Sequence, residues 1–357
     1  MTQFHSLAIK DVRRETADCV SIAFHVPDNL SEEYLFQPGQ RITLKLLVQG
    51  EELRRSYSIC SSPMDNELRV AIKKINAGKF SMHANHQLKK GDIIDVLPPS
   101  GKFNLHAYTS KKNNYLAFAA GSGITPIISI IKTTLATESG SRFTLIYGNR
   151  SRSSIIFKEQ LEALKNTYMD RFVMHHVFSR EITNAEVNSG RINAKKCQEL
   201  MPWLINPENT DHAFICGPEE MIFSTLQWLL QQGMEKSRIH FELFTVPGGQ
   251  VKTKGSFAQH ISEKASDVSL KVDGVVFNFK LPFDGPSLLD AALQQGADLP
   301  FACKGGVCAT CRAKLTEGKV EMDNNYALEA EELLQGFILT CQSHPLTERI
   351  VVDFDVK

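Results

Sequence analysis

The stretch CKGGVCATC, residues 303–311, places three cysteines in the spacing C-x4-C-x2-C, and a fourth cysteine follows after a gap of 29 residues. This is the ligand spacing of a plant-type [2Fe–2S] cluster, in which one tight loop supplies three thiolates and a returning segment supplies the fourth. A structural zinc site is the alternative, but such sites usually pair two C-x2-C units, and this segment has one. The predicted ligands are Cys303, Cys308, Cys311 and Cys341.

The 357 residues are too many for one ordinary core, so two or three domains are expected. No apolar run approaches the roughly 18 residues that cross a bilayer, and the N-terminal residues contain no apolar signal region. The remaining cysteines are scattered, without a disulfide-like framework. We therefore expect a cytoplasmic protein without a membrane segment.

Charge is unevenly distributed along a chain that is neutral overall. Residues 266–357 contain 14 acidic and 8 basic residues, which leaves a net positive charge in the rest. We interpret this as an acidic electron-carrying module beside a basic one, although a chance imbalance on solvated faces is the alternative. The acids Glu329, Glu331 and Glu332 are candidates for docking. No basic patch interleaved with aromatic residues indicates nucleic-acid binding.

Three domains are predicted from the pattern of strands and helices. Six short alternating strands within residues 1–106 indicate an antiparallel β-barrel. Buried strands alternating with helices over 107–245 indicate an α/β domain with a parallel sheet. A polar linker is expected at 246–265. Residues 266–357 begin with a hairpin around Asp273–Gly274 and hold the cysteine loop, which predicts an α+β module.

Two glycine-containing turns lie where parallel strands end. GSGITP, residues 121–126, follows the apolar strand YLAFAA, and its glycines permit a tight turn and close approach by a phosphate. Thr125 is expected to cap a helix that begins at Pro126. CGP, residues 216–218, ends another strand, at the sheet edge where ligands bind in such folds.

Two further segments predict cofactor contacts. RSYS, residues 55–58, offers an arginine for a pyrophosphate, a tyrosine ring on the same strand face, and a serine hydroxyl. NRSRSS, residues 149–154, follows a strand of the α/β domain and contains no acid at the position that would bind a ribose 2′-OH. Arg150 and Arg152, with Ser151 or Ser153, suit a 2′-phosphate, so NADPH is predicted over NADH.

These motifs resemble one family. RSYS, GKFS at 78–81, GSGITP, YGNR at 147–150 and CGP occur in the order and spacing of the ferredoxin–NADP reductase superfamily. With a ferredoxin module fused C-terminally, the chain is similar to the reductase components of oxygenases. The stretches ELRRSYSIC and LPFACKGGVCATC and the closing VVDFD resemble the subfamily that serves phenylacetyl-CoA epoxidases.

The resemblance implies a barrel that binds FAD, an α/β domain that binds a nicotinamide nucleotide and a β-grasp ferredoxin domain. It assigns to FAD the residues Arg55, Tyr57, Ser58, Gly78, Lys79, Phe80 and Ser81. It assigns to the nicotinamide nucleotide the residues Gly121, Ser122, Gly123, Thr125, Arg150, Cys216, Gly217 and Pro218.

The implied activity is electron transfer from NAD(P)H through FAD and the cluster to a protein acceptor. A flavin is needed because a nicotinamide gives up two electrons as a hydride, whereas the cluster accepts one at a time. The expected acceptor is the diiron oxygenase of a phenylacetyl-CoA epoxidase. Another oxygenase or a hybrid-cluster protein is an alternative acceptor, and a redox sensor or carrier without turnover is an alternative from another class. No acid–base residue is nominated.

Overall fold

The computed structural model describes residues 3–104, 112–244 and 265–356 of the chain. These residues divide into two compact units, Phe4–Phe244 and a C-terminal unit that contains the described residues from 265 onward. The linker predicted at 246–265 lies outside the described residues, except that Ala265 begins a strand. The domain boundary predicted at 106–107 also lies outside them.

An antiparallel β-barrel forms the first part of the larger unit, as predicted. Its described elements are β1 (His5–Thr16), β2 (Cys19–His25), β3 (Arg41–Val48), β4 (Glu51–Ser58), β5 (Leu68–Lys73), α1 (Lys79–His86) and β6 (Ile93–Val96). The strands pair in the order β4-β3-β6-β1-β2-β5. A bridge between Ile59 and Val70 brings the two outer strands together and closes the barrel. Alternate residues such as Ile42, Leu44 and Ile72 point inward and are fully buried.

A parallel sheet forms the second part of the larger unit, again as predicted. Its described elements are β7 (Asn114–Ala120), α2 (Ile124–Thr137), β8 (Arg142–Asn149), α3 (Lys158–Thr167), β9 (Phe172–Phe178), α4 (Ala194–Leu200), β10 (His212–Cys216), α5 (Glu219–Gln231) and β11 (Ile239–Glu242). The strand order is β11-β10-β7-β8-β9. From β7 the chain continues to β8, which pairs with one side of β7, whereas the later strand β10 pairs with the other side of β7. This change of direction opens a crevice at the carboxyl ends of β7 and β10, where such folds bind ligands.

Two helix starts differ from the sequence prediction. A short 3-10 turn, Gly121–Gly123, precedes α2, which begins at Ile124 and not at Pro126. Thr125 therefore lies inside the helix, where its hydroxyl donates to the carbonyl of Ser122 (3.0 Å), and it does not act as the N-cap. The stretch SSIIFKEQLEALKNTY, which begins at Ser153, also has a helical pattern. Its helix begins only at Lys158, because Phe157 has φ +61° and interrupts it.

Buried polar contacts join the barrel to the parallel sheet. The hydroxyl of Ser62 lies 2.9 Å from that of Thr133 in α2, and Ser129 Oγ donates to the carbonyl of Ser61 (2.6 Å). Phe103 packs edge-on against Phe214 of β10, with ring centroids 5.6 Å apart. Buried hydroxyls need partners, so these contacts favour one docking arrangement of barrel and sheet.

A group of rings covers the other end of the sheet, where β10 and β11 begin. His212 Nδ1 lies 3.2 Å from His240 Nε2. The His212 ring stacks on Tyr115 at 5.9 Å, and the His240 ring stacks on Phe214 at 4.9 Å. Burial, with a smaller contribution from His212, lowers the pKa of His240 from 6.5 to about 4. His240 is therefore neutral at physiological pH.

The C-terminal unit is an α+β module of the predicted kind. Its described elements are β12 (Ala265–Val272), β13 (Val275–Pro282), α6 (Leu288–Gln294), β14 (Arg312–Glu317), β15 (Val320–Met322), α7 (Ala330–Leu334), β16 (Phe337–Leu339), β17 (Ser343–Pro345) and β18 (Arg349–Asp353). The main sheet has the order β13-β12-β18-β14-β16. Asp273 (φ +49°) and Gly274 (φ +76°) form the two-residue turn of the predicted hairpin. Ser287 caps α6 by accepting from the N–H of Asp290 (3.2 Å).

Among the described residues, none of the helices is both long enough and apolar enough to span a membrane.

Gly39→Ala is expected to lower the free energy of unfolding of the larger unit by about 2–5 kcal/mol. Gly39 has φ +95°, and a Cβ there would lie 2.0 Å from the carbonyl oxygen of Phe103. Gly50→Ala is the control, because Gly50 has φ +79° but no atom within 4 Å of the added Cβ. It should cost only the backbone strain, about 1–2 kcal/mol.

Urea unfolding followed by tryptophan fluorescence measures this difference, because Trp203 and Trp228 both belong to the larger unit. Equal losses of stability in the two variants would contradict the close contact at Gly39.

Candidate functional site

The two glycine-containing turns meet in the crevice between β7 and β10. A Cβ on Gly123 would lie 2.0 Å from the carbonyl oxygen of Cys216 and 2.8 Å from the nitrogen of Gly217. Only glycine permits this approach at position 123. Gly121 has φ +54°, and its carbonyl accepts from the Tyr147 hydroxyl (3.0 Å). The two predicted motifs therefore form one surface.

Helix N-termini and a lysine make this surface suitable for phosphate groups. No side chain caps α2 at Gly123 or α5 at Pro218, and uncapped helix starts are where main-chain N–H groups and the helix dipole favour an anion. A Cβ on Gly121 would lie 3.5 Å from Nζ of Lys73, which extends from β5 of the barrel. The position of Lys73 in the site could not be predicted from the sequence, because nothing in the sequence places the end of β5 beside residue 121.

Glu242 is the most informative residue that the sequence analysis missed. It ends β11 and pairs with Cys216 of β10 across the sheet. Its carboxylate is 5% exposed and accepts from Arg41 Nη1 (2.9 Å) and from Ser58 Oγ (2.9 Å), both in the barrel. Burial raises the pKa of Glu242, while Arg41 and Ser58 oppose the shift. The signal in the sequence was a single acid inside the apolar strand HFELF.

Cys216 is fully buried beside this carboxylate. Burial, and then the charge of Glu242, raise the pKa of the Cys216 thiol well above its usual range. The thiol is therefore neutral at physiological pH. The barrel and the sheet are thus connected through Ser58, Glu242, Cys216 and Gly123. Of these residues, Cys216 and Gly123 come from two separate predicted motifs of the sheet.

The two segments predicted to bind FAD also come together. Tyr57 at the end of β4 packs against Phe80 of α1, with ring centroids 5.6 Å apart. Burial raises the pKa of the Tyr57 hydroxyl. Arg55 lies on the same strand face and is exposed, with Nη1 donating to the carbonyl of Arg54 (2.7 Å). An aromatic ring, a free guanidinium edge and a helix start are groups that fit a flavin nucleotide.

In the GKFS segment, the main chain is better placed to bind a phosphate than the side chains are. Gly78 precedes the first turn of α1, which no side chain caps. Ser81 Oγ accepts from the N–H of Ile75 (3.1 Å), Phe80 is buried in the barrel, and Lys79 forms an ion pair with Glu51. The N–H groups of this turn are therefore the part of the segment that fits a phosphate.

The two arginines after β8, Arg150 and Arg152, differ in their contacts. Arg150 is exposed, whereas Arg152 forms an ion pair with Glu181 (3.3 Å) and lies over the ring of Phe178. Ser151 Oγ lies 3.0 Å from Ser153 Oγ. The segment directly after β8 contains no acid, but the fold places Glu181, from the loop after β9, against this segment.

The four cysteines of the C-terminal unit converge from the predicted segments. Cys308, Cys311 and Cys341 are buried, and Cys303 is half-buried. The N–H of Gly305 donates to Cys303 Sγ (3.3 Å), and Gln342 Nε2 donates to Cys341 Sγ (3.6 Å). Such donors also stabilise sulfur in a cluster.

The thiols approach one another in two pairs. A hydrogen bond with Cys308, followed by burial, raises the pKa of Cys303. A hydrogen bond between Cys311 and Cys341 raises the pKa of Cys311 and lowers that of Cys341. Within the described ranges, no three His, Cys, Asp or Glu side chains surround one point as a single metal ion would require. Two thiol pairs supply four protein thiolates, the number that a [2Fe–2S] cluster needs with two on each iron.

The acidic segment predicted for docking is only partly exposed. Glu332 is 7% exposed, forms an ion pair with Arg312 (2.7 Å) and closes a capping box at the start of α7 with Glu329. The interpretation of Glu332 as a docking charge is therefore wrong, because its charge is neutralised within the module. Glu329 and Glu331 remain exposed.

Three family models match the chain in succession. They are the oxidoreductase FAD-binding domain over residues 6–105, the oxidoreductase NAD-binding domain over 118–227 and the 2Fe-2S iron-sulfur cluster binding domain over 270–346. Phthalate dioxygenase reductase has the same fold, with a TM-score of 0.59 and 21% identity, covering 98% of each chain.

Curated relatives match along their whole length. One subunit of the 1,2-phenylacetyl-CoA epoxidase of Escherichia coli is 46% identical, covering 100% of this chain and 99% of that protein. The ferredoxin reductase component of the 3-ketosteroid-9-alpha-monooxygenase of Rhodococcus rhodochrous is 33% identical, covering 98% of this chain and 96% of that protein. The chain therefore belongs to the family of electron-transfer reductase components of oxygenases, built from FAD-binding, NAD-binding and [2Fe–2S] domains.

Proposed function

We propose that this chain is an NADPH-dependent reductase that delivers electrons to the diiron oxygenase of a phenylacetyl-CoA epoxidase. The observation that carries the reductase chemistry is the meeting of Ser58, Glu242 and Cys216 where the barrel joins the parallel sheet. The identity with the Escherichia coli epoxidase protein over the whole chain supports this choice of acceptor.

When bound, the nicotinamide supplies a hydride, FAD accepts it and passes electrons on singly, and the cluster carries one electron at a time. The side chains bind and orient these groups and exclude water between them. No side chain is assigned as a general acid or base.

In the barrel, Arg55 binds the FAD pyrophosphate, and Tyr57 stacks on the flavin ring. The main chain from Gly78 to Ser81, including Lys79 and Phe80, completes the phosphate contacts at the start of α1. Ser58 holds its hydroxyl proton toward Glu242 Oε2, and Arg41 keeps that carboxylate paired. This arrangement fixes the direction of the Ser58 hydroxyl at the flavin edge.

In the crevice, the main chain of Gly121, Ser122, Gly123 and Thr125 receives the nucleotide phosphates. Cys216, Gly217 and Pro218 border the nicotinamide. Because the raised pKa keeps the Cys216 thiol neutral, the thiol itself places no negative charge against the ring. A neutral thiol is compatible with both the cationic and the neutral form of a nicotinamide.

The choice of nucleotide is proposed to depend on the loop after β8. Arg150 and Arg152 supply positive charge, and Ser151 and Ser153 supply hydroxyls, for the 2′-phosphate of NADPH. NADH lacks this phosphate and gains nothing from the arginines.

In the C-terminal unit, Cys303, Cys308, Cys311 and Cys341 are proposed to ligate the [2Fe–2S] cluster, with one thiol pair on each iron. None of the eight cysteines, all of which belong to the described residues, forms a disulfide, which supports a reducing compartment, and we place the protein in the cytoplasm.

Cys308→Ser should lose the cluster and retain FAD, because the two are held in separate units. Iron and sulfide analysis with the flavin absorbance measures both groups in one sample. Cys197→Ser is the matched control, since Cys197 is also buried but lies in α4 of the larger unit. Zinc without sulfide in natively purified protein would refute the cluster assignment.

NADPH should give a higher kcat/KM than NADH with a small artificial acceptor, and Arg152→Gln should reduce that ratio. Arg142→Gln is the control, because Arg142 begins β8 and Arg152 follows its other end. A ratio of one in the wild type would contradict the NADPH proposal.

Anaerobic NADPH should bleach both flavin and cluster, and failure to do so would favour a carrier without turnover.

The reductase should reduce the purified diiron oxygenase of a phenylacetyl-CoA epoxidase faster than a ring-hydroxylating oxygenase. Stopped-flow absorbance measures both rates, through the cluster in the wild type and through the flavin in Cys308→Ser. The variant should abolish both rates because the cluster is the exit for electrons. Faster reduction of the ring-hydroxylating enzyme would redirect the acceptor assignment while leaving the reductase chemistry intact.

A further inference from the structure

The loops that follow β8 and β9 run side by side beyond the ends of their strands. The N–H of Ser179 donates to the carbonyl of Asn149 (2.9 Å), and the N–H of Arg180 donates to the carbonyl of Arg150 (3.0 Å). These two hydrogen bonds hold the loops together for two residues past the end of β9. They place the next residue, Glu181, against the loop that is proposed to read the nucleotide.

Both carboxylate oxygens of Glu181 contact the same residue. Oε2 accepts from the N–H of Arg152 (2.7 Å), and Oε1 lies 3.3 Å from Arg152 Nη1. The guanidinium also lies over the Phe178 ring, 5.8 Å from its centroid. The Glu181 side chain is 25% exposed, whereas the Arg152 side chain is 69% exposed. The outer face of the guanidinium is therefore open to a ligand while its charge is already balanced.

We propose that Glu181 is a specificity residue that limits the preference for NADPH over NADH. This inference rests on the proposed nucleotide site after β8. A 2′-phosphate that binds Arg152 also comes close to the Glu181 carboxylate, and the two negative charges repel each other. A ribose 2′-OH carries no charge and can donate a hydrogen bond to a carboxylate. The same residue therefore opposes one nucleotide and tolerates the other.

The charge of Glu181 can be separated from its structural contact. The bond to the N–H of Arg152 needs only an acceptor oxygen, which a glutamine amide also provides. Glu181→Gln thus retains an acceptor for the loop and removes the negative charge. A residue with only a structural role would behave alike in the two forms.

The test compares adenosine 2′,5′-bisphosphate with adenosine 5′-monophosphate, which differ only in the 2′-phosphate. Isothermal titration calorimetry on the intact holoprotein gives the ratio of their dissociation constants without turnover. Glu181→Gln should raise the preference for the bisphosphate by about two- to fivefold, the range for a partly exposed ion pair. The ratio of kcat/KM for NADPH and NADH should rise with it through a lower KM for NADPH.

Glu208→Gln is the matched control, because Glu208 is exposed and precedes the start of β10, whereas Glu181 follows the end of β9, three strands away. It should leave the ratio of affinities unchanged. In an Arg152→Gln background, Glu181→Gln should raise the ratio less than it does alone, because the two residues act on one phosphate. Flavin and cluster absorbance confirm that each variant is intact.

An unchanged or lowered ratio in an intact Glu181→Gln protein would overturn the inference. This outcome is distinct from failure of the proposed NADPH preference, which the wild-type ratio alone decides. A wild type without preference, together with a raised ratio in Glu181→Gln, would refute the proposed preference and support the role of Glu181.

Discussion

The buried carboxylate of Glu242 is the constraint on which the larger unit, with its barrel and parallel sheet, depends. A charge taken out of water is costly unless it is paired, and here the partners come from strands of another sheet. Arg41 is 201 residues away in the sequence and Ser58 is 184 residues away. Barrel and sheet can bury this carboxylate only in the orientation that brings all three residues together, so the pairing also sets the relation between the flavin-binding and nicotinamide-binding surfaces.

Much of the architecture could be read from the sequence, because the periodicities are clear. Alternating strands indicate the barrel, the apolar run YLAFAA indicates a buried strand of a parallel sheet, and Asp273–Gly274 indicates a hairpin that the structure contains. The helix starts were less predictable. Phe157 has no sequence feature that requires a positive φ, and its conformation depends on tertiary packing.

Electrostatic partners were the least predictable part of the site. Glu242, Lys73 and Glu181 each act on a motif that lies far away in the sequence, so no local pattern identifies the motif that each residue contacts. Glu332 shows the reverse case, since it stands in an acidic run but is buried against Arg312. The cysteine spacing was readable because all four ligands belong to one module and three of them to one loop.

The histidine pair at the base of the sheet, in which each ring stacks on an aromatic side chain, makes the larger unit sensitive to acid. The pKa of His240 is about 4 in the folded chain, against 6.5 for an unperturbed histidine. Its neutral form therefore contributes fully to stability above pH 6.5, and this contribution is lost progressively as the pH falls toward 4. The ring stack that supports the start of β10 and β11 is thus a weak point under acid stress, at the end of the sheet opposite the crevice.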